Sequence, residues 1–177
     1  MTEKLLQYIW QHKLYNSSSL ATIENEPLQI LYPGLLNTNQ GPDFLDAKIK
    51  VGDTTWAGSI ELHLKTSDWD LHNHSTDTNY NNVILHVVWQ DDTSESTSFP
   101  TLVLQQRVSN HLLSRYEELM QSPLFIPCQR HLPTVDELVI NVWKERMMVE
   151  RLQQRANAIT VMLTRNNYDW EETFWWL

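Results

Sequence analysis

The chain has 177 residues, a net charge of -9 and an isoelectric point near 5.1, long enough for one domain with a sizeable core and an appended piece but too short for two large domains. That acidic balance excludes a protein that coats nucleic acid by bulk electrostatics, because phosphate binding leaves a basic footprint; an enzyme needs only a local one. Hydrophobic residues at 41% and charged residues at 20% place it among globular rather than disordered chains.

Cys128 is the only cysteine, which excludes a disulfide within the chain. No charged-then-apolar leader opens the sequence and no apolar run approaches the roughly 20 residues that span a bilayer, so the expectation is a cytoplasmic protein with no membrane association.

Leu5, Leu6, Ile9, Trp10 and Leu14 recur near the helical period and predict an amphipathic helix over 3–15. Leu28 to Tyr32, bounded by Pro27 and Pro33-Gly34, reads as a strand running into a turn. Ala47, Ile49 and Val51 alternate with Lys48 and Lys50, and Gly52-Asp53 has turn chemistry. A half-buried strand and the next one, over about 56–65, are therefore expected to pair as an antiparallel hairpin. In that second strand Glu61, His63 and Lys65 share one face while Ile60, Leu62 and Leu64 share the other. One face has the composition of a core and the other carries a carboxylate, an imidazole and an ammonium.

The polar stretch 68–80 leaves room for a short helix starting at Ser67 or Asp68. Val83 to Trp89 is an apolar run broken only by His86, as expected of a central strand covered on both faces. After an acidic Ser/Thr-rich loop over 91–98, a strand is predicted over 101–108 and a helix over 110–120 with Leu112, Leu113, Tyr116 and Leu119 inward. These elements make an α/β core over 1–122. Residues 123–133 are Pro-rich and read as a linker. Thr134 and Glu137 fit a capping box opening a long helix through about 163, within a helical segment over 134–177. The aromatic close at Phe174, Trp175, Trp176 and Leu177 suggests a longer chain and a protein partner, or a second copy, for those rings.

The order helix, strand, two-stranded hairpin, short helix, strand, together with Pro42, Asp43 and the run Glu61-Leu62-His63-Leu64-Lys65, resembles the PD-(D/E)XK phosphodiesterases. The resemblance implies a restriction-endonuclease-like αβββαβ core with a mixed sheet, followed by the helical segment. It also implies that Asp43 and Glu61 hold Mg²⁺ or Mn²⁺, as hard carboxylate oxygens suit, and that nucleic acid is the substrate. The family's lysine stands two residues after the Glu; here that position is His63 and a lysine comes only at Lys65, so either could take the lysine role. The phrases GPDFLDAKIKVGDTTWAGSIELHLKTSDWDLHNH and NNVILHVVW are in addition similar to those of a bacterial domain-of-unknown-function family, number 2851, over essentially the whole chain, a resemblance that carries no activity with it.

Two other readings stand beside the phosphodiesterase. His72-Asn73-His74 has the alternate spacing that lets two imidazoles reach one ion, with His63 or His86 completing a Zn²⁺-like site for a hydrolase of another substrate class. A non-catalytic interaction domain that keeps the nuclease-like fold is the third, favoured by the acidic charge. Trp56, Trp69, Trp89 and Tyr80 fit core or edge aromatics better than a base-stacking platform.

Overall fold

The computed structural model describes residues 1–72, 74–93 and 99–176; Asn73, the 94–98 part of the acidic loop and Leu177 lie outside them. α1 (Glu3–Gln11) buries Leu5, Leu6, Ile9 and Trp10 on one stripe, and the Thr2 hydroxyl caps its start by accepting from the Leu5 N–H. It stops at Gln11 rather than continuing to residue 15. Lys13 takes a left-handed φ of 52°, and the N–H groups of Lys13 and Leu14 fold back onto the carbonyls of Trp10 and Ile9. That is a Schellman closure with lysine where glycine is usual.

Among the described residues six strands form one sheet: β1 (Leu28–Tyr32), β2 (Leu35–Leu36), β3 (Phe44–Val51), β4 (Thr54–Lys65), β5 (Val83–Gln90) and β6 (Thr101–Val103). Their order is β1-β3-β4-β5-β6, with β2 paired to β3. Pairs β1–β3 and β3–β4 are antiparallel, whereas β4–β5 and β5–β6 are parallel. The sheet is mixed and the fold is α/β, as the pattern predicts. Gly52 closes the β3–β4 hairpin at a φ of 54°. At the other end of β3 a bulge between Phe44 and Ala47, with Asp46 at φ 58°, shifts the register against β4.

β6 is shorter than the predicted 101–108 strand. Leu104 and Gln105 still donate to the carbonyls of Val88 and Trp89, but the Arg107 N–H then turns back onto Leu104. The Arg107 guanidinium donates to the carbonyls of Asn16, Ser18 and Ser19. The apolar alternation thus runs on through a turn.

β4 does not leave one face to solvent: Ser59, Ile60, Glu61, Leu62 and His63 are all buried. Ile60 and Leu62 join Leu85 and Val87 of β5 and Leu6, Ile9 and Trp10 of α1 in the main core, against which Leu112, Leu113 and Tyr116 of α3 (Asn110–Met120) pack. The opposite face lies under α2 (Asp68–Leu71) and two 3₁₀ turns, His74–Thr76 and Thr78–Tyr80. Trp69 and Val88 are buried there, outside the main cluster.

The chain divides into two compact units, Met1–Glu117 and Glu118–Leu177. In the second, the Pro-rich stretch ends in a 3₁₀ helix (Gln129–Thr134) that leads to α4 (Glu137–Arg165) and α5 (Trp170–Trp175). The cap of α4 is Asp136, whose carboxylate accepts from the Leu138 N–H at 2.7 Å, and not Thr134; an aspartate one residue ahead of the helix displaces the expected box. Thr173 ties α5 down by donating to the Asp169 carbonyl and accepting from the Asn166 amide. Among the described residues of this unit only Leu163 and Thr173 are buried. No described helix is long and apolar enough to cross a membrane.

Candidate metal centre

Asp43 stands immediately ahead of β3 and Glu61 in the middle of β4, and two reciprocal hydrogen bonds clasp them. The Asp43 N–H donates to Glu61 Oε2 at 3.0 Å, and the Leu62 N–H donates to Asp43 Oδ2 at 3.0 Å. From α1 the Gln7 amide donates to Asp43 Oδ1 at 2.8 Å. Burial pushes Glu61 up to about 8, and the neighbouring Asp43 charge adds to the rise. Asp43 climbs to about 6 for the same first reason, against the hydrogen bonds from Leu62 and Gln7 that favour its anion. No lysine or arginine among the described residues pairs with either.

The free edge of Glu61 faces imidazoles. Its Oε1 lies 3.5 Å from His63 Nε2 and 3.5 Å from His74 Nε2. His63 also reaches His72 Nδ1 through Nε2 at 3.1 Å and His86 Nε2 through Nδ1 at 2.8 Å. The parallel register that sets His86 opposite Glu61 places both on one face of the sheet. One nitrogen from each of His63, His72 and His74 falls within 4.8 Å of the others. His86 therefore supports His63 from behind, rather than closing the set as one alternative from the sequence has it.

Burial, and then the charges of the surrounding histidines, hold His63 down to about 3; burial and His74 hold His86 down to about 4. His74 is lowered as well, by burial first and then by His72. These three imidazoles are neutral at pH 7, the state in which nitrogen donates a lone pair. Trp69 roofs the cluster, its ring against those of His63, His74 and His86, with its indole N–H on Ser75 Oγ. Tyr80 stacks on His74 at 3.8 Å.

Lys65 is not brought to this cluster. It sits at the end of β4, its side chain 57% exposed and 3.9 Å from Asp92. Trp56 is exposed, whereas Trp89 packs partly into the core. Gln7 and Trp69 carry no recognisable signal as site residues: one reads as a polar gap in a helix stripe, the other as a core aromatic.

A carboxyl pair, Glu61 buried and Asp43 half-buried, set against four imidazoles defines an α/β protein with a candidate divalent-metal centre on its sheet. A family model described as protein of unknown function (DUF2851) matches residues 3–177, and the chain belongs to that family. No curated protein and no solved structure matches it.

Proposed function

We propose that this protein is a Mg²⁺- or Mn²⁺-dependent phosphodiesterase acting on nucleic acid, with Asp43 and Glu61 as the ion's ligands. The observation that carries the reading is the clasp: the buried Glu61 carboxyl and the half-buried Asp43 carboxyl are held together by backbone N–H groups, with no cationic side chain among the described residues paired to either, an arrangement that a divalent ion relieves. With the two-residue β2 set aside, the order α1, β1, β3, β4, α2, β5 supports it, since it follows the αβββαβ arrangement of the PD-(D/E)XK enzymes with an acid ahead of β3 and one within β4. When bound, the ion supplies a Lewis acid and lowers the pKa of water. Asp43 and Glu61 would hold it, Gln7 and the Leu62 N–H fix the Asp43 carboxylate, and Trp69 packs its ring edge-on against His63. In this reading His63, 3.5 Å from Glu61, takes the lysine role rather than Lys65, which lies 3.9 Å from Asp92.

Calorimetric titration with Mn²⁺, run beside cleavage of single- and double-stranded oligonucleotides, tests the reading. The parent should bind one ion and cleave; Asp43→Asn and Glu61→Gln should lose both while unfolding at the same temperature or higher. Cleavage that survives both substitutions, or a parent that binds no ion, overturns it.

A second reading, a non-catalytic interaction domain, is favoured by one observation: Trp170, Phe174, Trp175 and Trp176 of the second unit stand 67% to 78% exposed. It predicts self-association of the chain that weakens in Trp175→Ser and Trp176→Ser, read by sedimentation over a concentration series.

A further inference from the structure

Four donor atoms around Glu61 have the spacing of a coordination shell. A tetrahedral ion with ligand distances of about 2.0–2.1 Å sets its ligands about 3.3 Å apart. Three separations here bracket that edge: 3.1 Å between His63 Nε2 and His72 Nδ1, and 3.5 Å from Glu61 Oε1 to both His63 Nε2 and His74 Nε2. One ring nitrogen from each of the three histidines lies within 4.8 Å of the others.

Hydrogen bonding alone does not account for this set. His74 Nε2 is buried and comes within 3.5 Å of Glu61 Oε1, yet it makes no hydrogen bond among the described residues. Its side chain is nine-tenths covered. A core histidine normally spends its ring nitrogens on partners. His63 is oriented as metal-bound imidazoles are, with Nδ1 against His86 Nε2 at 2.8 Å, which leaves Nε2 for the ion when Nδ1 carries the proton. His72 is exposed, so the set has an entry from solvent.

We propose that His63, His72, His74 and Glu61 form a tetrahedral site for a nitrogen-preferring divalent ion of the zinc class, separate from a Mg²⁺ or Mn²⁺ site at Asp43 and Glu61. Three imidazoles and one carboxylate suit Zn²⁺ or Co²⁺, whereas Mg²⁺ demands octahedral oxygen. Glu61 belongs to both sets through different oxygens: Oε2 turns to Asp43 and Oε1 to the histidines. A cation on the histidines puts positive charge beside Glu61, where the phosphodiesterase motif has its lysine. The site itself stands whether or not the chain cleaves anything.

Co²⁺ is the probe, because its visible spectrum distinguishes tetrahedral from octahedral coordination. The full chain, stripped by chelator, should take up one equivalent with intense tetrahedral bands that Zn²⁺ displaces and excess Mg²⁺ does not. His72→Ala, at an exposed position, and His74→Ala should each weaken uptake by more than the roughly 10–100-fold typical of losing an outer-shell partner, with circular dichroism verifying the fold. Asp43→Asn should keep the Co²⁺ spectrum while losing Mn²⁺ binding. No tetrahedral spectrum in the parent, uptake that survives the double His72→Ala/His74→Ala variant, or uptake lost equally in Asp43→Asn would each overturn the proposal; the last would put the ion on the carboxyl pair.

Discussion

The two faces of the β4–β5 pair are equally dry and chemically opposite. On one, Ile60, Leu62, Leu85 and Val87 are 0% to 1% exposed under α1; on the other, Glu61, His63 and His86 are 0% to 6% exposed under α2 and its 3₁₀ turns. Apolar burial stabilises by roughly 25 cal/mol per Å², whereas a polar group taken out of water destabilises unless it is fully paired. The second face is incompletely paired: among the described residues His74 Nε2 and His86 Nδ1 have no hydrogen-bond partner. One face holds the sheet together and the other is carried by it. Polar side chains kept dry at a cost to stability are where function concentrates.

The sharpest way to break the comparison is to damage the face that stabilises. Leu85 is fully buried in the main cluster, so Leu85→Ala should cost about 2–5 kcal/mol by denaturant unfolding. Metal uptake per folded molecule should not change. A loss of Co²⁺ binding at full native signal would mean that the two faces are coupled and not independent.

A smaller effect is expected where the pair is seamed. At Gly58 a Cβ would meet the Asn82 carbonyl oxygen at 2.5 Å and Ile84 Cγ2 at 2.6 Å, and Ser59 N–H bonds that same carbonyl. Gly58→Ala should therefore destabilise by about 1–3 kcal/mol through overpacking. A neutral result would show that the entry to β5 yields by a few tenths of an ångström.

The apolar face is the part that was legible in the sequence. The alternation at Ala47, Ile49 and Val51, the Gly52-Asp53 turn and the run from Val83 to Trp89 lead to the right hairpin and the right neighbouring strand, and the helix over Asn110–Met120 has the predicted bounds. Period-two reading also set Glu61, His63 and Lys65 on one face, but it carried no information about what covers that face. Chain from another part of the sequence does so, in turns too short for a periodic signal. The same limit blurred the site. His72 and His74 were recognisable by their spacing, yet choosing His63 over His86 as their companion required the parallel register of β4 and β5. Nor does the alternation show that Lys65, at the strand's end, lies beside Asp92 while His63 lies against Glu61.

The smallest effect sharpens the comparison most, because it reads the polar face without any ligand. In chelator-treated protein Glu61 holds its proton up to about pH 8, whereas in the unfolded chain a glutamate gives it up near 4.5. Its contribution to stability is thus fully present below about 4.5 and is lost as pH rises through 8. Between pH 7 and 8 the other members of the face change little: His63 and His86, held to about 3 and 4 when folded, are neutral there and shed only the residual protonation of unfolded imidazoles, a small effect of opposite sign, and Asp43, at about 6, is mostly ionised in both states. Unfolding free energy of the parent should fall across that interval by on the order of 1 kcal/mol. Glu61→Gln has no proton to lose and should show a flat profile. A parent as flat as the variant would mean that water reaches Glu61 freely and that the two faces are not equally dry.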